Sequence, residues 1–354
     1  MKDLHKIVAP LLEWYDGHAR ILPWREMPAP YRVWVSEIML QQTRVEAVKP
    51  YFERCIQALP TIQNLAEAPE DKLLKLWEGL GYYNRVRNMQ KAAKILVEKY
   101  QGEMPQDYDS ILALPGIGSY TAGAIASIAF GMRRPAVDGN VLRVLSRLEK
   151  SYDDILKQSV RKRFEKEILE VIPGERAGDF NQSLIELGAI VCVPNGTPKC
   201  MECPLAKLCA AHADGVELEL PKKTPPARRK MEDITVLVLV SDNKAALHKR
   251  EEKGLLAGLY ELPNLKGHRN REEVLTFVKE QGLSPIRIQE LPPAKHIFSH
   301  IEWHMAGYAV KVEEPQNGNL RTKEFFFAEK EEMERKYSIP SAFSAYMRYF
   351  REKY

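Results

Sequence analysis

LPGIGSYTAGAIASIAFG (residues 114–131), followed four residues later by AVDGNVLRVLSR (136–147), decides how the chain is read. Pro115, Gly116 and Gly118 mark a tight turn, and Ala122, Ile125, Ala126 and Ala129 then recur at helical spacing. The local reading is a helix, a glycine-rich hairpin and a second helix. Exposed N–H groups at such a helix start suit an anion such as a phosphate, although a plain connector has the same composition. Residues 110–132 carry no charge, a length that could span a bilayer. The turn splits that run and leaves about 13 helical residues, the length of a buried core helix.

On either side the helical period continues. Trp34, Ile38 and Leu40 form one apolar stripe, and Leu73, Leu74, Trp77 and Leu80 form another. The N-terminal MKDLHKIVAPLLEWYDGHAR reads as an amphipathic helix with scattered charges rather than a secretory leader, so the expected compartment is the cytoplasm. Past residue 230 the pattern changes. Residues 234–240 (ITVLVLV) form a β-branched run typical of a buried strand; residues 245–249, 304–312 and 325–328 read as further strands, and 271–281 and 340–353 as helices. The 354 residues exceed what one hydrophobic core usually organises. Three parts are therefore expected: an all-α domain over 1–212, a basic Pro-rich linker over 213–231 and an α+β domain over 232–354.

The composition, 45% hydrophobic and 28% charged, excludes wholesale disorder. The net charge of +4 neither requires nor excludes nucleic acid. It is unevenly placed. Residues 1–220 hold 28 Lys and Arg against 29 Asp and Glu, while PKKTPPARRK (221–230) alone carries +5. Proline makes that stretch semi-rigid, and its charge suits a nucleic-acid backbone as well as it suits a solvated tether.

Cys192, Cys200, Cys203 and Cys209 are spaced C-x7-C-x2-C-x5-C. Four thiolates within 18 residues can close around one tetrahedral ion or a cubane cluster, and spacing alone leaves zinc and iron–sulfur both open. Cys55 stands apart on a helical segment and reads as a small core residue.

Together these motifs resemble the helix–hairpin–helix DNA glycosylase superfamily, whose signature is the hairpin and then an aspartate about twenty residues on, here Asp138. SLIELGAIVC (183–192) leading into the cysteines resembles the iron–sulfur loop of the endonuclease III branch. VWVSEIMLQQTRVEAV (33–48) and WEGLGYYNRVRN (77–88) resemble the adenine glycosylase branch, and FSH (298–300) resembles that branch's motif for meeting 8-oxoguanine. One departure is visible: the family has six residues between its first two cluster cysteines, and this chain has seven.

The resemblance implies a monofunctional glycosylase that removes adenine opposite 8-oxoguanine or guanine in duplex DNA. It further implies a [4Fe-4S] cluster on the four cysteines, and a monomer associated with the bacterial nucleoid, away from membranes. The chemistry needs a proton for the departing base and a negative charge beside an oxocarbenium-like sugar. Glu37, set among Trp34, Val35, Ile38 and Met39, should have a raised pKa suited to an acid. Its local sequence fits an exposed helix glutamate too. Asp138 is implied to stabilise the sugar with support from Asn140, and as a helix N-cap it has a purely structural reading as well. Bifunctional members place a lysine where this chain has Tyr120, and a phenol cannot form a Schiff base.

Carried over by position, Trp24, Arg25, Leu40 and Glu186 would surround the flipped adenine, and Gln42 and Tyr82 would wedge into the duplex. Gly116 and Gly118 would meet phosphate, and Phe298, Ser299 and His300 the oxidised guanine. Ordinary helix core rivals these roles for Leu40 and Tyr82, and a surface turn rivals them for the FSH tripeptide. Arg85, Arg87, Arg143, Arg147, Lys199 and Lys207 fit either phosphate contacts or a solvated face.

In the C-terminal part, GLYELP (258–263) resembles Nudix hydrolases, but the helix that should hold magnesium reads REEVLTFVKEQGL (271–283), with the glutamate pattern broken. A Nudix-like fold kept for recognition is therefore expected. Three other functions stay in view: an endonuclease III-like pyrimidine glycosylase/lyase, a catalytically silent iron–sulfur DNA-binding protein, and a Nudix pyrophosphatase using Glu273 and Glu280.

Overall fold

The computed structural model describes residues 4–225, 227–313 and 325–354. They form two compact units, Met1–Ala68 with Asn84–Pro225, and Pro69–Tyr83 with Pro226–Tyr354. Among the described residues no helix is long and apolar enough to cross a membrane.

The first unit is helical. Leu114–Gly118 forms the hairpin turn, and Gly116 adopts φ +80°, where a side chain would also collide with Asn88 Cβ at 2.8 Å. The helix Ser119–Ala124 continues into a wider π-turn over Ile125–Ala129, so the part of the charge-free run that follows the turn is a largely buried helix. Gly123 lets it touch the following strand-like segment, because a Cβ there would lie 1.9 Å from the Pro135 carbonyl oxygen. That close approach sets where the chain re-enters a helix at Gly139–Glu149, with Asp138 as its cap. Cys55 is buried in helix Val45–Ala58, as expected of a core residue.

The second unit is a mixed sheet between helices. Its strands are β1 (Lys230–Ser241), β2 (Lys244–Lys249), β3 (Tyr260–Glu261), β4 (Asn264–Lys266), β5 (Pro285–Ile297), β6 (Ile301–Val312) and β7 (Phe326–Glu329). The order is β3-β2-β1-β6-β5, with β4 on β1 and β7 on β2; β1 and β6 run parallel, β5 and β6 antiparallel. β1 is covered on both faces. Val236, Val238 and Val240 pack toward Phe343, Met347 and Phe350, while Leu237 and Leu239 pack toward Val274 and Val278. Burial on two sides is why its sequence is a continuous apolar run rather than an alternation.

The structure departs from the sequence reading at several points, of which three bear on the architecture. β5 was not anticipated, because Pro285, Pro292 and Pro293 argue against a strand; the register shifts between Leu291 and Ala294 absorb the proline pair. Residues 213–225, expected in the linker, lie in the first unit. Leu220 is buried there, its carbonyl accepts from Arg147 Nε at 3.0 Å, and the Lys222 carbonyl accepts from the Ile155 N–H. Finally, residues 69–83, expected in the first domain, group with the second unit.

Candidate active site

Helix Pro30–Leu40 starts with proline at its first position and buries every residue from Val33 to Met39, so Glu37 enters the core as part of an apolar face. Its Oε2 accepts a 2.6 Å hydrogen bond from the Tyr120 hydroxyl. Burial raises the Glu37 pKa to about 7; the Tyr120 bond opposes this rise and the negative charge of Asp138 adds to it. The rise expected from the apolar neighbours is therefore present. Burial also drives the Tyr120 phenol far above its usual range, so Tyr120 is a proton donor in a hydrogen bond, not a phenolate.

Asp138 caps helix Gly139–Glu149. Its Oδ1 accepts from the Asn140 and Val141 backbone N–H groups, and its Oδ2 from Asn140 Nδ2, each at 2.8 Å. Asp138 therefore caps the helix and is held by the Asn140 side chain at the same time. Burial moves Asp138 above the ordinary aspartate value, against the pull of those donors. Three donors make Asp138 the better-supported anion of the two carboxyls.

Glu37 and Tyr120 share a pocket with Trp24, Arg25, Leu40 and Glu186. Glu186 is fully buried and accepts from Arg20 Nε at 2.7 Å and Arg25 Nη2 at 2.8 Å. Burial would raise its pKa, but the bonds from Arg20 and Arg25 outweigh this and push it down to about 2. Trp24 also packs edge-on against Phe52, with ring centroids 5.4 Å apart. Arg20 and Gln182, which also line the pocket, were missed in the sequence. Gln182 Oε1 accepts from Arg25 Nε at 3.1 Å. Only folding brings position 20 to position 186, and no local pattern signals it.

Other expected residues lie elsewhere. Gln42 and Tyr82 are exposed and adopt left-handed backbones, φ 57° and 50°, uncommon for residues with a side chain. Gly116 and Gly118 are exposed on the hairpin turn. Phe298 turns the β5–β6 hairpin through its N–H bond to the Ile301 carbonyl, and Ser299 and His300 are exposed at the tip. The Ser299 and Tyr82 hydroxyls are 3.0 Å apart. The phosphate or solvent reading of three arginines needs correction. Arg143 and Arg147 are buried, and Arg85 Nη1 donates to three backbone carbonyls.

Cys192, Cys200, Cys203 and Cys209 are free thiols lining one pocket. Arg147 Nη1 donates to Cys192 Sγ at 3.2 Å and Arg143 Nε to the Cys192 carbonyl at 2.8 Å, so positive charge is built in beside the sulfurs. Among the described residues, the one group of three possible ligand atoms within 4.8 Å of each other is Cys200, His212 and Glu217. Four sulfurs lining one pocket, with arginines beside Cys192, fit a metal-cluster site.

A model of the HhH-GPD superfamily of base excision DNA repair proteins matches residues 35–170, and a NUDIX domain model matches 235–349. The chain is 35% identical to the adenine DNA glycosylase of Buchnera aphidicola subsp. Acyrthosiphon pisum, covering 85% of each protein. It is 34% identical to the human adenine DNA glycosylase over 88% of this chain and 68% of that protein. Against the Arabidopsis thaliana adenine DNA glycosylase the figures are 36%, 84% and 56%, so this chain spans little more than half of that relative. Among solved structures it resembles a thermostable thymine-DNA glycosylase (TM-score 0.53, 28% identity, 59% of this chain and 97% of that one). It also resembles endonuclease III trapped covalently on DNA (TM-score 0.52, 29% identity, 61% and 99%). The architecture is a helix–hairpin–helix glycosylase domain followed by a Nudix-like domain.

Proposed function

The chain belongs to the adenine DNA glycosylase family, and from that premise we propose that it excises adenine paired with 8-oxoguanine or guanine by acid-assisted cleavage, without a lyase step. The observation that carries this reading is the joint placement of Glu37, Tyr120 and Asp138. With a pKa of about 7, Glu37 is protonated in a large fraction of molecules at neutral pH. As the C1′–N9 bond breaks, its electron pair leaves with the base, and Glu37 delivers its proton to a ring nitrogen of adenine. The Asp138 carboxylate, held by Asn140 and the helix start, stabilises the cationic sugar. The Glu37 carboxylate then takes a proton from the water that attacks C1′. Tyr120 orients Glu37 and offers no amine for a Schiff base.

Glu186 with Arg20 and Arg25 presents a fixed acceptor and donors to an extruded purine, alongside Trp24 and Leu40. Gln42 and Tyr82 would enter the duplex, Gly116 and Gly118 would approach phosphate, and Phe298, Ser299 and His300 would meet the opposite base. Cys192, Cys200, Cys203 and Cys209 would hold a [4Fe-4S] cluster, which would cross-link their loop to the end of helix Ala177–Ile190. A pyrophosphatase reading is disfavoured because Glu273 is committed to capping its own helix and to Arg269.

Single-turnover assays on duplexes with adenine opposite 8-oxoguanine test the reading. Base release revealed by alkali, with little borohydride trapping, is expected. Strong trapping would transfer support to a lyase, and tight binding without release to a silent binder. Purified protein should contain about four iron atoms; zinc in their place would refute the cluster while sparing the glycosylase.

A further inference from the structure

The chain between Lys75 and Arg85 is gripped at both ends by hydrogen bonds to backbone. In helix Glu70–Trp77, Lys75 Nζ donates to the carbonyls of Tyr337 at 2.9 Å and Met333 at 3.3 Å, where helix Lys330–Lys336 ends. The negative end of a helix dipole favours a cation at such carbonyls. Glu78 binds Lys75 through Oε2 at 2.6 Å and accepts the Ile339 N–H on Oε1 at 2.7 Å. Both charges of this pair are thereby engaged with the backbone of the second unit. The turn that follows is tightly specified. Trp77 Nε1 donates to the Gly81 carbonyl, and Gly79, Gly81 and Tyr82 all adopt positive φ. It presents the Tyr82 hydroxyl to Ser299.

Three residues after Tyr82, inside the first unit, Arg85 Nη1 donates to the carbonyls of Ile38 at 2.8 Å, Met39 at 3.0 Å and Gln41 at 2.6 Å. Those carbonyls close the helix that carries Glu37. Two peptide units, Tyr83 and Asn84, thus separate a side chain bonded to Ser299 from one that holds the carbonyl end of the acid's helix.

We propose that Arg85 is a positioning residue through which Tyr82 and Ser299 set the placement of Glu37, with Lys75 and Glu78 anchoring the other end of the segment. The base opposite adenine is thereby read into the rate of the chemical step. This rests on the reading of Ser299 and Tyr82 as the probe of that base. A small displacement of a general acid is enough to change a rate substantially, so a three-carbonyl grip can act without touching substrate.

The test compares single-turnover excision of adenine opposite 8-oxoguanine and opposite guanine, as a ratio of rates, in the full-length protein. Arg85→Lys and Lys75→Ala should each lower that ratio at least fivefold, and Arg85→Lys with Ser299→Ala together should lower it no further than the worse single variant. Equal losses on both substrates, or additive losses in the double variant, would overturn the inference. If Arg85→Lys fails to fold, judged by iron content and thermal unfolding, the partly exposed Lys75→Ala decides: an unchanged ratio overturns the proposal. If Ser299→Ala and Tyr82→Phe also leave the ratio unchanged, the reading of the probe fails and takes the inference with it. An intact Ser299→Ala effect beside an unaffected Lys75→Ala ratio overturns the inference alone.

Discussion

The pocket around Glu37 and the hairpin tip at Phe298–His300 treat polar side chains in opposite ways. In the pocket Glu37 and Glu186 are buried, and each carboxylate's proton affinity is set by its neighbours: Glu37 up to about 7 by burial, Glu186 down to about 2 by two arginines. At the tip, Ser299 and His300 are exposed to solvent. Chemistry requires groups whose charge state is tuned, and tuning requires removal from water. On the proposed reading the tip meets a base inside a duplex, which only an exposed tip can reach. Substitutions in the pocket should therefore change catalysis or folding strongly, and those at the tip should change discrimination alone.

The largest effect is expected for Asp138→Asn. Asparagine caps a helix as well as aspartate does, so the fold should be kept while single-turnover excision falls by roughly 10³-fold. Normal activity in this variant would sink the assignment of the anion. Next comes Glu186→Ala, which leaves Arg20 and Arg25 facing a void in the pocket. Its loss in urea unfolding should be about 3 kcal/mol; a loss near zero would mean that the buried charge is not what organises the pocket.

Glu37→Gln follows. The folded pKa of Glu37 lies above its unfolded value of 4.5, so the side chain's contribution to stability is complete below pH 4.5 and is lost as pH rises through about 7. Above pH 7 the glutamine variant should therefore unfold later than the parent, by on the order of 3 kcal/mol, while excising far more slowly. Parent activity should also decline as pH rises through about 7, and a flat profile from pH 6 to 8 would remove Glu37 as the acid. The smallest effect belongs to Ser299→Ala. Stability should change by less than ~0.5 kcal/mol, and the cost should fall on excision opposite 8-oxoguanine, by roughly tenfold, the worth of one hydrogen bond. A stability loss matching that of Glu186→Ala would erase the contrast between the two regions.

Particular residues show how far local pattern reaches. β1 was legible because a strand covered on both faces must be apolar throughout, whereas β5 was hidden by prolines that a register shift accommodates. Arg143 and Arg147 looked like surface charge because a helix of VLRVLSR composition places its arginines on one side. The cysteine loop packs on that side, and the arginines end up bonded to Cys192. Arg85 was misread for a similar reason: its partners are carbonyls, which have no signature in a side-chain sequence.

By itself the sequence determined the pieces whose causes are local: the turn that only glycine can make at Gly116, the capping aspartate at 138, and four cysteines within one loop. Tertiary structure alone decided which distant groups meet. It placed Arg20 on Glu186, the Tyr120 hydroxyl on Glu37, and residues 69–83 with the second unit rather than the first. The physical reason is that periodicity and turn chemistry specify how a segment folds. The partner of a buried charge is chosen by the desolvation cost of leaving it unpaired, a term that exists only once the chain has closed around it.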